Sequence, residues 1–535
     1  MTHGMVSAPQ PEAVEAGALT LKRGGNAVDA VIACALVQTA VDPFMCGIAG
    51  FGSMHLYLPD RGVHTCLEFH GRAPEKARED MWTDIIERET DDGFGYVLTG
   101  GVNDIGYQSI TTPMTLRAFQ DALDRWGTLS LAELLEPAID YVENGFIVRP
   151  HMAYYWNLVE SAGRVDHAKR LDYTEAGARI YLNADGSRKK PGDIVVNSDM
   201  AATLRRIAKE GVDVFYKGDI AEVIIADMEA NDGLLTAQDL IDVSTEEAEP
   251  LWTEYRGYRI ATNPPPGGGI MVAEMSNILE NFDLRAMGHN SADYIATVSE
   301  AMKIATVDKD LYVGDPKFVD VPVERLMSKD YARERAEAIR GGEITHVSRL
   351  GDGVESRDTT HIAVSDENGN CVSMTHSLGM PSGVITEGLG FQYNGCMCVF
   401  DPRPGRPGSI QPGKSRFSSI APTIIFRGDD PYLIIGAPGG TYIAMSVLQG
   451  ILNVLEFGMT ALEAVSAPRF CTTSDVIDVT NRIPRFVEQE LKDRGYPVRR
   501  SPMSYHFGGV HAIRLTEDGW DGAADPGRDG MALEI

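Results

Sequence analysis

Residues 358–377 read DTTHIAVSDENGNCVSMTHS, and the periodicity of this stretch decides what the chain can be. HIAVSD (361–366) and CVSMTHS (371–377) each alternate along the chain, the period-2 signature of a strand. Between them ENGN (367–370) supplies a turn with Asn368 and Gly369 at its centre, so the two runs predict a hairpin. Thr359 and Thr360 stand at its entrance. They directly follow THVSRLGDGVESRD (345–358), a polar stretch with no apolar periodicity that reads as an exposed linker.

Working outward, Thr423–Phe426 and Tyr432–Gly436 are further strand candidates, joined by a turn at Asp429 and Asp430. Upstream, a charged helix is expected over Ala332–Arg340, closed by Gly341 and Gly342. Tyr258–Thr262 reads as a strand leading into PPPGGG (264–269), an ordered turn or helix entrance that lacks the lysine and hydroxyl of a nucleotide loop. Met200–Lys209 and Asp219–Ala230 carry helical patterns, as does Glu12–Lys22, after which Asn26 is placed to cap the next helix. Met54–Leu58 is strand-like. Thr112–Trp126 is helical after its proline, and Ser130 with Glu133 forms a capping box for a helix to Val142 that Pro137 must kink or break.

The 535 residues, 43% of them hydrophobic, suffice for a large core or two. A formal net charge of −29 argues against a nucleic-acid partner, since no basic patch stands against that field. Seven cysteines, an odd and dispersed count, do not make a disulfide framework. Cys396 and Cys398 would share one face of a strand, as packed apolar side chains rather than metal ligands. The most hydrophobic stretch, VDAVIACALVQTAVDPFMCGIAGF (28–51), is interrupted by Asp29, Gln38, Asp42 and Pro43, and reads as a buried helix rather than a membrane span. The opening residues lack the pattern of an export signal, and the expectation is a cytoplasmic protein with no membrane partner.

The chemistry gathers around the hairpin. A threonine hydroxyl needs a base, and a free N-terminal threonine supplies one in its own α-amine, whose reference pKa is about 8. Before cleavage the same hydroxyl of Thr359 can attack the carbonyl of Asp358, exchanging the peptide for an ester that water opens. Period 2 puts Thr375 and Ser377 on one face, where their hydroxyls can orient that amine and hydroxyl. Gly439 and Gly440, after a strand and Pro438, offer two backbone N–H groups to an oxyanion. Ser418 and Ser419 precede the turn signal at Ala421 and Pro422. From pattern alone these residues also read as turns and satisfied surface hydroxyls.

DTTHIAVSDENGNCVSMTHS resembles the processing-site segment of the gamma-glutamyltranspeptidase family. In the family's order, so do KRGGNAVDAVIA (22–33), TTPMTLRAFQDALDRWGTLSLAELLEPAIDYVENGF (111–146), NPPPGGGI (263–270), AMKIATVDKDLYVGDP (301–316), GKSRFSSIAPTI (413–424) and IGAPGG (435–440). The resemblance implies an α+β fold, a four-layer αββα sandwich of the N-terminal-nucleophile hydrolase type. It implies a large subunit 1–358 and a small subunit 359–535 that share one composite fold, cut between Asp358 and Thr359. It makes Thr359 the nucleophile, Thr375 and Ser377 its supports, Ser418 and Ser419 substrate-lining, and Gly439 with Gly440 the oxyanion pair. It implies no metal and no organic cofactor.

The chain departs from the family where a γ-glutamyl group is held. In EFHGRAP (68–74), His70 stands at the position of the arginine that grips the substrate α-carboxylate, with Arg72 two residues on. In NGCMCVF (394–400), Val399 stands at the position of the aspartate that takes the α-ammonium, and Cys396 replaces a glutamine. Gly379 replaces an asparagine. His70, Arg72, Val399, Ser418 and Ser419 are therefore the candidate substrate contacts. A self-processing amidase or acylase for a small-molecule amide with an acyl group other than γ-glutamyl is expected. The alternatives are a true gamma-glutamyltransferase or glutathione hydrolase, with Arg72, Lys414 or Arg416 supplying the clamp, and an unprocessed binding protein. A homo-oligomer is compatible with this reading, and the sequence leaves the oligomeric state open.

Overall fold

The computed structural model describes residues 3–90, 93, 95–159, 163–348, 359–501, 503 and 507–535. The strands of its two large sheets are, in chain order, β1 (Gly4–Ala8), β2 (Phe51–Leu58), β3 (Val63–Phe69), β4 (Glu246–Ala248), β5 (Leu251–Tyr255), β6 (Tyr258–Thr262), β7 (Thr360–Asp366), β8 (Cys371–Ser377), β9 (Thr423–Arg427), β10 (Asp430–Gly436), β11 (His511–Thr516), β12 (Gly519–Ala524) and β13 (Met531–Glu534). One sheet runs β13-β1-β7-β8-β2-β3-β4 and the other β12-β11-β10-β9-β6-β5. Neighbours in both are antiparallel.

The alternation in the hairpin sorts its side chains between two faces. Ile362, Val364, Val372 and Met374 join an outer core with the helices Pro11–Lys22, Ala27–Val41, Thr115–Trp126 and Leu131–Asn144. Ala363 and Cys371 point the other way, onto Ile424, Ile434 and Ile513 of the second sheet. That sheet turns Ile425, Leu433 and Ile435 outward against Gly269–Leu279, Ala292–Tyr312 and Ile443–Leu455. Helix, sheet, sheet, helix: the four-layer αββα sandwich expected from the resemblance is present.

Local signals explain most boundaries. Asn26 caps Ala27–Val41 reciprocally with Asp29, and every residue of that helix is buried. No helix among the described residues is long and apolar enough to cross a membrane. The Ser130–Glu133 capping box forms, and Leu131–Asn144 continues through Pro137. PPPGGG is a helix entrance. Gly268 donates its N–H to Ile420 O, and Pro266 O accepts from Ser418 N–H, so this run docks the serine pair. A Cβ on Gly268 would lie 2.3 Å from Ser419 O, which is why glycine is needed there.

Two expectations are corrected. The hairpin turn is centred on Glu367 and Asn368, one residue earlier than predicted, because the Asp366 carboxylate accepts the N–H groups of Asn368 and Asn370. Gly369 then takes the left-handed position, with φ 76°, and donates to Asp366 O. Cys396 and Cys398 lie on a 3-10 turn, Cys396–Val399, not on a strand, although both are buried. The Asn394 amide is the cause: its Oδ1 accepts from Thr111 N–H and Cys396 N–H and its Nδ2 donates to Ala49 O, bonds a strand partner would otherwise make. The expected linker's last ten residues, 349–358, and Asp358 among them, lie outside the described residues.

Candidate active site

Thr359 enters β7 with 5% of its surface exposed. Its Oγ1 is 3.1 Å from Ser377 Oγ at the end of β8. Ser377 Oγ also accepts the Gly379 N–H at 2.8 Å, so one hydroxyl ties Thr359 to the following turn. Thr360 faces the opposite way. Its Oγ1 accepts from Gln38 Nε2 at 2.9 Å in the helical layer, which distinguishes the two adjacent threonines. Thr375 lies one register pair deeper, opposite His361, and its Oγ1 is 2.8 Å from His361 Nδ1. The His361 ring lies flat against Gly436, where a Cβ would come 2.1 Å from Cε1, and stacks on His511. Burial, with the nearby His376 second, holds His361 neutral by lowering its pKa to about 3.

Thr359 borders a narrow pocket of about 10 Å³. Its wall brings together Val399, Ser418, Ser419 and Gly440, four of the residues singled out by sequence. Ser419 Oγ donates to Gly440 O, joining the serine pair to the glycine pair. Gly439 has φ 139° and Gly440 φ 53°, and a Cβ on Gly439 would lie 2.5 Å from Gly508 Cα. Glycine at 439 is thus required by a close approach of two backbones. The pair leads through the turn Gly440–Tyr442 into the helix Ile443–Leu455, whose N-terminus, with Ile443, borders the pocket. Backbone N–H groups at a helix N-terminus lack intrahelical acceptors and favour negative charge.

His70 and Arg72 are not brought to this wall. His70 Nε2 lies 2.6 Å from Glu68 Oε2, and Glu68 Oε1 accepts from Ser53 Oγ. Arg72 donates to Glu246 Oε1 at 2.8 Å and to Ser244 O at 2.9 Å. Arg416, one of the three alternative clamp residues named from sequence, lines the pocket, and Phe51, Met380, Ile420 and Ile443 line it without having been placed there by sequence. The arginine's position comes from a tertiary pairing: Arg72 bridges Ser415, and Ala73 N–H donates to Lys414 O. Val399 also borders a wider cavity of about 380 Å³ that reaches Lys309 and Arg403. Among the described residues no group of three or more His, Cys, Asp or Glu side chains is arranged to hold a metal ion.

Two packed antiparallel sheets between helical layers, with a threonine heading a central strand, define an N-terminal-nucleophile hydrolase architecture. Residues 13–535 match the family described as Gamma-glutamyltranspeptidase, and the chain belongs to that family. It is 38% identical over 541 residues to the Acylase ACY 1 proenzyme of Pseudomonas sp. (strain V22), covering 100% of this chain and 94% of that one. It is 33% identical over 556 residues to the Glutathione hydrolase proenzyme of Bacillus subtilis (strain 168), covering 99% and 91%. The crystal structure of cephalosporin acylase from Bacillus halodurans superposes with a TM-score of 0.88 at 30% identity, covering 99% of this chain and 96% of that one. The chain is an enzyme of the hydrolase and acyltransferase kind.

Proposed function

We propose that the chain is a proenzyme that cuts itself between Asp358 and Thr359 and then hydrolyses a small-molecule amide with Thr359 as nucleophile. The contact that carries this reading is Thr359 Oγ1 to Ser377 Oγ, 3.1 Å, beside a pocket bordered by Gly440. The backbone at Thr359 adds to it: its φ of 155° is one that residues with a Cβ rarely adopt, and breaking the preceding peptide removes that constraint. Residues 1–358 become a large subunit and 359–535 a small one, sharing the sandwich.

In turnover the Thr359 α-amine takes the hydroxyl proton as Oγ1 bonds to the amide carbon. The carbonyl oxygen becomes an oxyanion facing the backbone N–H groups at Gly439 and Gly440, which are fixed beforehand by the backbone packing at Gly508. The ammonium returns its proton to the leaving nitrogen as the C–N bond breaks, leaving an ester on Thr359. Water, its proton taken by the same amine, opens that ester and frees the acid. Ser377 orients the nucleophile, and Thr375, held by neutral His361, buttresses the strand behind it.

The acyl group lacks an α-ammonium. Val399 stands in the wall where an ammonium would need an acceptor, and an unpaired cation there carries a desolvation cost. Two of the similar proteins are named acylases, which supports the broader reading of an amide-hydrolysing acylase. A γ-glutamyl donor is the second reading, favoured by Arg416 in the wall, which offers a partner to an α-carboxylate but leaves the ammonium against Val399. Steady-state kcat/KM for a γ-glutamyl amide and its des-amino glutaryl counterpart, sharing one leaving group, decides between them. Preference for the glutaryl compound supports the first reading, and preference for the γ-glutamyl compound the second.

A further inference from the structure

The most hydrophobic stretch of the chain carries a polar side chain to which the hydrolytic scheme gives no role. Gln38 lies in the helix Ala27–Val41 and is fully buried, as is the helix around it. A buried amide costs free energy unless its N–H and C=O groups find partners, and those of Gln38 lie on both strands of the hairpin. Its Nε2 donates to Thr360 Oγ1 at 2.9 Å on β7, and its Oε1 accepts from His376 Nε2 at 2.8 Å on β8. Thr360 and His376 are the register pair with which the β7–β8 ladder begins, and their neighbours along the chain are Thr359 and Ser377. The donor and acceptor roles are set from further back. Gln10 Nε2 donates to the Asp42 carboxylate at 2.6 Å, which turns Gln10 Oε1 toward Gln38 and requires an N–H from it at 2.9 Å. The second N–H of the same amide goes to Thr360, and the Gln38 oxygen is left for His376. Burial keeps that ring neutral, with its pKa lowered to about 3, so its one N–H is on Nε2.

This bracket stands where the sheet stops holding β7 from its other side. The β1–β7 pairing runs from Gly4 opposite Asp366 to Ser7 opposite Ala363. Pro9 has no N–H to extend it, and Gln10, at φ 62°, turns the chain into the helix Pro11–Lys22. Residues 360–362 therefore have β8 alone as a strand neighbour. Chain ends fray unless they are tied down, and a cut before Thr359 turns this strand entrance into a chain end. We infer that Gln38 is a positioning residue: by gripping Thr360 and His376 from the helical layer, it keeps the new N-terminus in register with Thr359 Oγ1 against Ser377 Oγ. This rests on Thr359 being the nucleophile and adds what holds it in place once the chain is cut. Gln38 is not among the residues that line the pocket, so it acts through the strands and not on the substrate.

The test measures kcat and KM on whichever p-nitroanilide, glutaryl or γ-glutamyl, wild type turns over faster, with kcat counted per chain that begins at Thr359. Gln38→Met fills a similar volume with neither bond, and should lower kcat about tenfold while KM stays within about twofold of wild type. Thr360→Val keeps the shape and loses the oxygen, whereas Thr360→Ser keeps the oxygen and loses the methyl. The bracket predicts that the valine variant loses kcat and the serine variant stays within about twofold of wild type, the reverse of what packing alone would give. Added to Gln38→Met, Thr360→Val should cost less than about a further twofold, since the bond is already gone. A wild-type kcat in Gln38→Met, a loss that falls on KM instead, a serine variant slower than the valine one, or effects that multiply in the double variant overturns the assignment. Should Gln38→Met fail to fold, the valine and serine pair decides by the same criterion. Thr359→Ala is run alongside. Residual turnover by that variant would sink the nucleophile assignment itself, a result separable from any change in the Gln38 and Thr360 variants.

Discussion

The hydroxyl oxygens of Thr359 and Ser377 lie 3.1 Å apart, brought together by the β7–β8 hairpin across 18 residues of chain. Because Ser377 Oγ also accepts the Gly379 N–H, its proton is left to point at Thr359 or to be shared with it. Ser377→Ala should lower kcat by roughly 10- to 100-fold, as loss of one orienting hydrogen bond commonly does. It should also cost about 1–3 kcal/mol of stability, since a buried N–H loses its acceptor. Steady-state kinetics and urea unfolding measure the two effects separately.

Thr359→Ala should leave a folded chain without turnover. The side chain sits at a strand entrance with 5% exposure, and losing one hydroxyl there should change stability by no more than about 1 kcal/mol. Thr359→Ser keeps the oxygen and should retain part of the activity. If Thr360 were the nucleophile instead, Thr360→Ala would be the silent variant; its hydroxyl is held by Gln38 on the far face, so that substitution should leave turnover measurable.

The strands, caps and helix entrance were readable because each is set by near neighbours. Alternation at 361–366 and 371–377 predicts both hairpin strands, and Asn26 with Asp29 predicts a helix start that forms as expected. The hairpin turn was misplaced by one residue because Asp366 competes for the turn's N–H groups. The 3-10 turn at Cys396 depends on Asn394 reaching Thr111, a partner remote in sequence. His70 carried a readable signal in its neighbour: Glu68, two residues earlier at the end of β3, lies 2.6 Å from its Nε2 and engages it away from the pocket. Sequence offered Arg72, Lys414 and Arg416 as equal alternatives for a clamp, and could not choose among them because their placement depends on segments 72–73 and 413–416 lying side by side.

Val399→Asp should shift specificity toward γ-glutamyl donors. The new carboxylate would stand in the wall shared with Arg416, completing a pair of opposite charges for a zwitterionic amino acid. The ratio of kcat/KM for γ-glutamyl over glutaryl p-nitroanilide is expected to rise about tenfold, the worth of one charge-assisted hydrogen bond. A ratio that does not move would place the ammonium elsewhere than at Val399.

Acid should destabilise the fold beginning below pH 6.5. His55, His361 and His376 are held neutral, each with its pKa lowered to about 3, mainly by burial. Their folded values lie below the unfolded one, so between pH 6.5 and about 3 the unfolded chain binds protons the folded chain refuses, and stability falls as pH falls. Each contributes at most about 1.4 kcal/mol per pH unit in that window. Asp42, raised to about 6 by burial, works in the opposite sense between pH 6 and 3.8, as do Glu274, Asp239, Asp478 and Asp529, which burial also raises, while His64, His151, His289 and His511, lowered mainly by burial, add to the histidine side. The urea midpoint should therefore drop between pH 7 and pH 5; a midpoint that rises would contradict the buried-neutral assignment.

The most direct test of the central claim is N-terminal sequencing of the smaller fragment from purified wild type and Thr359→Ala, incubated without added protease. The account predicts that wild type yields a fragment beginning Thr-Thr-His-Ile, from Thr359, while Thr359→Ala stays a single full-length chain. A fragment with any other first residue, or the same cleavage in Thr359→Ala, would contradict it.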